Sequence, residues 1–452
     1  MMLETSEARH APATRPLTDP SLVGVRAKVE AGRRLSIDDG MLLYSTPDIH
    51  TVCELAQLVR ERLHPGIAYY NVNKHLNYSN VCALSCSFCE FARKKDQPGA
   101  YTRTLDDIAE EARGAVGSGA TEMHIVGGLQ PYLPWDYYPD MLRTIRAVAP
   151  SLHLKAFTAV EIVHLARIAK KYRRDDRQSG IRWVLEQLIE AGLGSLPGGG
   201  AEVFDDRVHD EAFKGKIRSD EWLDVHLVAH ELGLNTNATI LYGHIDQRRE
   251  RLVHMEILRR AQDVALARMG YTGEETNRQR DEEIADIAAI SEIDAPKISL
   301  TKPGTLLPTS SLDLSVSPSL PGHFQCIIPL PFFPDGSQLE HLPGPGGLEN
   351  LRTLAIARLM LDNFPHVKAF WIMQTLPMAQ LMLQNGADDI DGTVVWYDIT
   401  KLSSKNDDVA THQETNVVDL QRAIREAGFE PVERDTLYRR VQRDGKGWRI
   451  AT

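Results

Sequence analysis

Three of the five cysteines fall within eight positions, as Cys82-x3-Cys86-x2-Cys89 in the segment NYSNVCALSCSFCEFAR. Thiolates crowded in this way are the natural ligands of zinc and of iron–sulfur clusters. A structural zinc is closed by four ligands, and the nearest histidine, His75, precedes the cysteines without a matching spacing. A 4Fe-4S cluster suits three thiolates better, because one iron is then left unclaimed by protein, whereas electron carriers close their clusters with a fourth cysteine. A molecule that offers an amino and a carboxylate group, as S-adenosylmethionine does, can fill that open position. An electron passed to its sulfonium would break the C5′–S bond and yield a 5′-deoxyadenosyl radical. Cys82, Cys86 and Cys89 are therefore the expected cluster ligands, and Phe88 is expected to shield the cluster and face the adenine. Cys53, on a predicted helix face, and Cys326, inside an apolar strand, are expected in the core. A non-catalytic iron–sulfur carrier and a zinc-stabilised binding protein stand as the alternatives from another class.

Other residues are candidates by their places at strand ends. Gly127 and Gly128 begin the run GGLQP, where absent side chains let the backbone approach a ligand; with Gln130 they are the expected contacts of the cofactor's methionyl end. Glu161 either hydrogen-bonds the cofactor ribose or is a first-turn glutamate favoured by the helix dipole. Glu202, after a PGGG turn, and Arg207 are candidates for the cofactor's carboxylate or the substrate, against ordinary loop polarity. Asn237 is expected to point inward from a strand and completes a candidate catalytic set with Glu161 and Arg207. His244 is expected to cap or to pair with Asp246. An anionic substrate is best met by arginine; besides Arg207, Arg251 and Arg358 are available, although both read as solvated helix faces.

The elements that must position these groups alternate. Apolar runs at 67–73, 121–128, 152–158, 194–199, 235–243, 324–330, 367–372 and 388–395 predict strands. Helical periodicity falls at 48–63, 105–117, 136–148, 160–171, 182–191, 220–232, 246–268, 349–363 and 375–384. Strand-then-helix repetition predicts a parallel sheet, and this many units predicts an α/β (βα) TIM-type barrel, partial or complete. In a barrel the functional groups occupy the C-terminal strand ends, which is where the cysteines, GGLQP, TAVE, PGGGAE and GHID fall. Residues 1–47 are expected to form an N-terminal arm, loose over the first 35; 48–440 the barrel with a C-terminal extension; and 441–452 a tail. Residues 269–321, charged and then rich in Ser, Thr and Pro, are expected to be a mostly mobile insertion.

Bulk properties narrow the partners. A net charge of −11 argues against nucleic acid, which calls for a basic stripe. No apolar run approaches the ~20 residues of a membrane span, and the first thirty residues lack a secretory apolar core. Cytoplasmic location is expected, and few, clustered cysteines do not make a disulfide framework.

The cysteine loop resembles that of the radical S-adenosylmethionine superfamily. Longer blocks resemble the aminodeoxyfutalosine synthases of the futalosine route to menaquinone: NYSNVCALSCSFCEFAR, HIVGGLQPYLPWDYYPDML, HLKAFTAVEIVHLAR, AGLGSLPGGGAEVFDDRV, EWLDVHLVAHELGLNTNATILYGHI, LMLDNFPHVKAFWIM, GADDIDGTVV and PVERDTLY. The likeness covers most of 48–440 apart from the insertion, and KAFTAVE and PGGGAE are its most specific parts. It implies a transferase in which the adenosyl radical adds to the enolpyruvyl double bond of 3-[(1-carboxyvinyl)oxy]benzoate. Rearrangement and loss of a carboxyl group then give 6-amino-6-deoxyfutalosine and methionine. S-adenosylmethionine is then a co-substrate, and a ferredoxin or flavodoxin is the implied electron donor. The sister enzymes, cyclic dehypoxanthine futalosine synthase and the FO synthase subunits, are the alternative; KAFTAVE favours the adenosyl-transferring member over the cyclase, which carries a Ser-Pro-Pro-Glu type run there. The chain departs from the family where Gln130 and Phe333 replace histidines, after Thr393, and in the insertion.

Overall fold

The computed structural model describes residues 16–270, 321–393 and 415–451. The insertion therefore lies outside the described residues except at its borders. Seven parallel strands form one sheet in sequential order: β2 (Asn73–Leu76), β3 (Glu122–Ile125), β4 (His153–Ala156), β5 (Ser195–Leu196), β6 (Asn235–Tyr242), β7 (Phe324–Pro331) and β8 (His366–Val367). Strand order that follows chain order is what a curling barrel sheet requires. A second parallel sheet runs β10 (Glu430–Glu433), β1 (Ile67–Asn71), β9 (Asp389–Gly392). β9 pairs with β1, and Asp389 also bridges to Lys368 just past β8, so β9 spans the seam between the two ends of the large sheet.

Most helices between strands match the predicted periodicity: α4 (Leu105–Gly117), α5 (Tyr137–Val148), α6 (Ala159–Ile168), α7 (Arg177–Glu190), then a short α8 (Asp206–Ala212) that was not expected, α9 (Ser219–Glu231), α10 (Arg248–Arg268), α11 (Gly347–Met360), a short α12 (Trp371–Gln374) that begins inside the strand expected at 367–372, and α13 (Leu376–Leu383). α4 begins where Thr104 and Asp107 form a reciprocal capping box. Strand positions facing these helices are fully buried and apolar, among them Met123, Ile125, Leu154, Ala156 and Ile327. The alternate positions face the lumen and are polar: His75, Glu122, His124, Lys155 and Asn237.

Four expectations are corrected. The run at 67–73 is one strand in pattern but divides at Val72 into β1 and β2, which belong to different sheets. The arm at 1–47 holds, among its described residues, α1 (Val23–Glu30) and α2 (Ile37–Ser45), followed by α3 (Ile49–Leu63); Leu22, Val25, Val29, Leu43 and Tyr44 are buried against the body. At eight and nine residues, each spans too few turns for a helical period to stand out. The tail at 441–452 contains an antiparallel hairpin, β11 (Val441–Asp444) and β12 (Gly447–Ile450), turning at Gly445 in the left-handed region. Finally, Arg251 and Arg358 are buried rather than solvated. Arg251 pairs with Asp246 and Glu349, and Arg358 with Asp388. A final helix, α14 (Val417–Glu426), leads into β10. No helix among the described residues is long and apolar enough to cross a membrane.

Candidate active site at the barrel mouth

The loop that leaves β2 carries all three clustered cysteines. Its backbone is tied down on several sides: Cys82 N–H donates to Arg93 O at 3.0 Å, Ala83 N–H to Leu129 O at 2.9 Å, and Ser87 N–H to Ala212 O at 2.9 Å. Lys94 Nζ gathers the carbonyls of Cys82, Ala83 and Leu84 at 3.0, 3.3 and 2.9 Å, so the ammonium acts as an internal spool for the loop. Burial pushes the Cys86 thiol up to about 11, against the pull of Lys216. Cys53 and Cys326 are raised to about 12 by burial; both are core thiols away from this loop, as expected.

Thiol spacing tests the choice of metal. Among the described residues, the one set of three Cys, His or acidic groups with ligand atoms all within 4.8 Å is His64, His366 and Asp388. The three sulfurs are thus not collected around a single point, whereas tetrahedral zinc with ~2.3 Å bonds needs sulfurs about 3.8 Å apart. Three thiolates on one loop are the donor set that a 4Fe-4S cluster takes when one iron is left to a ligand.

Gly127 and Gly128 are contacted first by the protein itself. A Cβ on Gly128 would lie 2.4 Å from Val81 O, and one on Gly127 would lie 2.6 Å from the Tyr78 ring. Gly128 N–H donates to Ser79 O at 2.8 Å. These glycines let the cysteine loop lie down on the end of β3.

Glu161 is likewise engaged by the protein. It closes the capping box of α6, accepting from Thr158 N–H and Oγ1 at 2.8 Å each, and its other oxygen accepts from Tyr78 OH at 2.8 Å and Gly127 N–H at 3.1 Å. Burial raises its pKa to about 7 against those four donors. Glu161 holds the first-turn place, extended into a clasp that ties the start of α6 to Gly127 and Tyr78. Glu161→Gln turns one oxygen into an N–H group facing donors. The expected loss is about 1–3 kcal/mol of stability, read as a lowered denaturant midpoint with unchanged slope.

Gln130 is buried, with its amide on Thr102 Oγ1 at 3.0 Å and its oxygen accepting from Tyr132 N–H at 3.1 Å. Arg207 is exposed and bound to Glu250, with Nη2 at 2.8 Å, so it does not join the others. His244 does lie beside Asp246, at 3.6 Å. Phe88 packs edge-on against Phe213 at 5.9 Å between centroids. Above both rings lies Lys216, 5.2 Å from the Phe88 centroid and paired with Glu202. Burial opposes the Lys216 charge, yet Glu202 and the Cys86 thiol raise its pKa on balance. Glu202 itself adopts a left-handed φ of 49°, a conformation costly for a residue with a side chain. Glu202, Lys216, Phe88 and the cysteine loop thus form one side of the mouth. Asn237, buried on β6, lies deeper, opposite Cys326 in register. Lys216 and Tyr78 had no signal of their own in the sequence, although Tyr78 belongs to the cysteine block.

Comparisons with known proteins agree with this architecture. Residues 76–258 match the model of the Radical SAM superfamily, and residues 322–445 the CofH/MqnC C-terminal region. The aminodeoxyfutalosine synthase of Thermus thermophilus is 37% identical over 95% of this chain and 98% of its own length. That of Streptomyces coelicolor is 38% identical over 91% and 92%. Among solved structures, methylornithine synthase (PylB) shares the fold at a TM-score of 0.58 and 15% identity, over 90% of this chain and 97% of its own. The chain therefore belongs to the aminodeoxyfutalosine synthase family of the radical S-adenosylmethionine superfamily.

Proposed function

We propose that the protein is the transferase that joins the 5′-deoxyadenosyl group of S-adenosylmethionine to 3-[(1-carboxyvinyl)oxy]benzoate, forming 6-amino-6-deoxyfutalosine and methionine while one carboxyl group leaves as bicarbonate or CO2. The observation that carries the reading is the three-thiol loop docked on Gly127 and Gly128 at the barrel mouth, in a chain of this family. Cys82, Cys86 and Cys89 would hold a 4Fe-4S cluster, which, with S-adenosylmethionine bound, supplies the electron that generates the adenosyl radical. Phe88 covers the cluster from the α8 side, and Glu202 with Lys216 offers paired charges to the cofactor's amino-acid end. Glu161 keeps Gly127 and Tyr78 in place behind that end. Asn237 faces the substrate from β6. A ferredoxin or flavodoxin would deliver the electron in the reducing cytoplasm, where free thiols persist.

The chemistry differs from a sister enzyme's in the fate of the adenosyl carbon. Anaerobic incubation with iron, sulfide, dithionite, S-adenosylmethionine and the enolpyruvyl benzoate, followed by mass analysis, should yield one adenosine-bearing product in step with methionine. Release of free 5′-deoxyadenosine as the sole nucleoside would contradict this reading and point to hydrogen abstraction.

A further inference from the structure

Below the mouth the lumen changes character in layers. On β7 the lumen-facing residues after Cys326 are Ile328 and Leu330, which stay partly open while their neighbours are closed. They make an apolar band. Deeper, the walls turn polar. Lys155 pairs with Glu122 at 2.5 Å, Lys368 with Asp391 at 2.8 Å, and Arg434 with Asp389 at 2.7 Å. Three cations face three carboxylates, so the floor is balanced in charge.

His75 and His124 stand side by side within this group, ring centroids 4.5 Å apart and in register with Lys155 on β4. His124 Nε2 is buried and has no hydrogen-bond partner. A buried polar atom left without a partner is costly and wants an explanation. His124 as a whole is half-buried, unlike its neighbours Met123 and Ile125, which are fully buried. The neighbouring ammonium groups add donors: each Nζ carries three N–H bonds, and among the described residues Lys155 and Lys368 have one carboxylate partner apiece. Burial, then His75 and Lys155, hold His124 well below its ordinary pKa. An imidazole in its neutral form still carries one N–H to donate.

We infer that the lumen floor centred on His124 is the receptor for the ring carboxylate of the aromatic substrate. The inference rests on the proposed reaction. The radical forms at the mouth and must meet the vinyl carbon there, so the meta carboxylate is the end that points away. His124 lies three residues before Gly127 on β3, which at ~3.3 Å per residue places it roughly 10 Å below the mouth. The aromatic ring then lies in the band of Ile328 and Leu330. The carboxylate reaches His124 Nε2–H with the spare donors of Lys155 and Lys368 around it.

The test is a titration of the cluster-loaded enzyme, with S-adenosylmethionine present, by 3-[(1-carboxyvinyl)oxy]benzoate and by its analogue without the ring carboxylate. Wild type should bind the full substrate more tightly. His124→Ala should weaken the full substrate by roughly 10- to 100-fold and leave the analogue unchanged. His124→Gln, which keeps a donor and much of the volume, should recover most of the loss. Equal weakening of both ligands, no weakening of either, or a wild type indifferent to the ring carboxylate would overturn the inference. Product formation by the wild type decides the proposed reaction separately, since the binding difference between the two ligands does not depend on turnover.

Discussion

Replacing Cys86 by alanine is expected to leave a folded protein that holds no iron and forms no product. A cluster held by three thiolates has none to spare, and loss of one removes both a bond and the charge that balances the irons. The loop itself does not depend on the thiol. Lys94 holds three carbonyls, Ser87 N–H is bonded to Ala212, and Gln338 N–H donates to Ser87 O at 2.8 Å. Thermal unfolding of the metal-free variant should therefore match metal-free wild type to within about 1 kcal/mol. Iron and sulfide content and product formation should both fall to background. The same holds for Cys82→Ala and Cys89→Ala, whereas Cys53→Ala should retain the cluster. Loss of iron from Cys53→Ala would revive the electron-carrier alternative.

Gly128→Ala should separate the cysteine loop from the barrel. The new methyl would lie 2.4 Å from Val81 O and 2.8 Å from Val81 C, and the obstacle is backbone, which cannot rotate out of the way. Either β3's end or the Val81–Cys82 backbone must shift. Overpacking of this kind costs about 1–3 kcal/mol, and the displaced Cys82 should reduce iron uptake under conditions that load wild type fully. Gly117→Ala is the matching control. Gly117 ends α4 with nothing within 4 Å of its would-be Cβ, so that change should be neutral or stabilising by about 0.5–1 kcal/mol. Iron content and denaturant midpoints measured on the two variants together check the account. Normal iron uptake and stability in Gly128→Ala would refute the docking role.

What was legible in the sequence follows from how local its cause is. The cysteine spacing and the strand–helix alternation arise from neighbouring residues, and the helix expected at 105–117 is found at those residues. The Thr158-x-x-Glu161 box was equally local, and its geometry explains both carboxylate oxygens without a ligand. Arg251 and Arg358 were misread because their burial depends on Asp246, Glu349 and Asp388, which no helical period reveals. The division of β1 from β2 depends on β9 and β10, far along the chain, competing for the first half of one apolar run. The lumen floor was hidden for the same reason. His124, Lys155 and Lys368 are ordinary polar positions in alternating strands until three separate strands bring them together.

The fate of the adenosyl carbon can be followed with S-adenosylmethionine labelled with carbon-13 at C5′, the reduced, cluster-loaded enzyme and the enolpyruvyl benzoate. The labelled carbon is expected bonded to a carbon of the substrate skeleton, in a product that carries both the adenine and the benzoate ring. Label recovered only as the methyl carbon of 5′-deoxyadenosine, with the aromatic compound free of adenine, would contradict it.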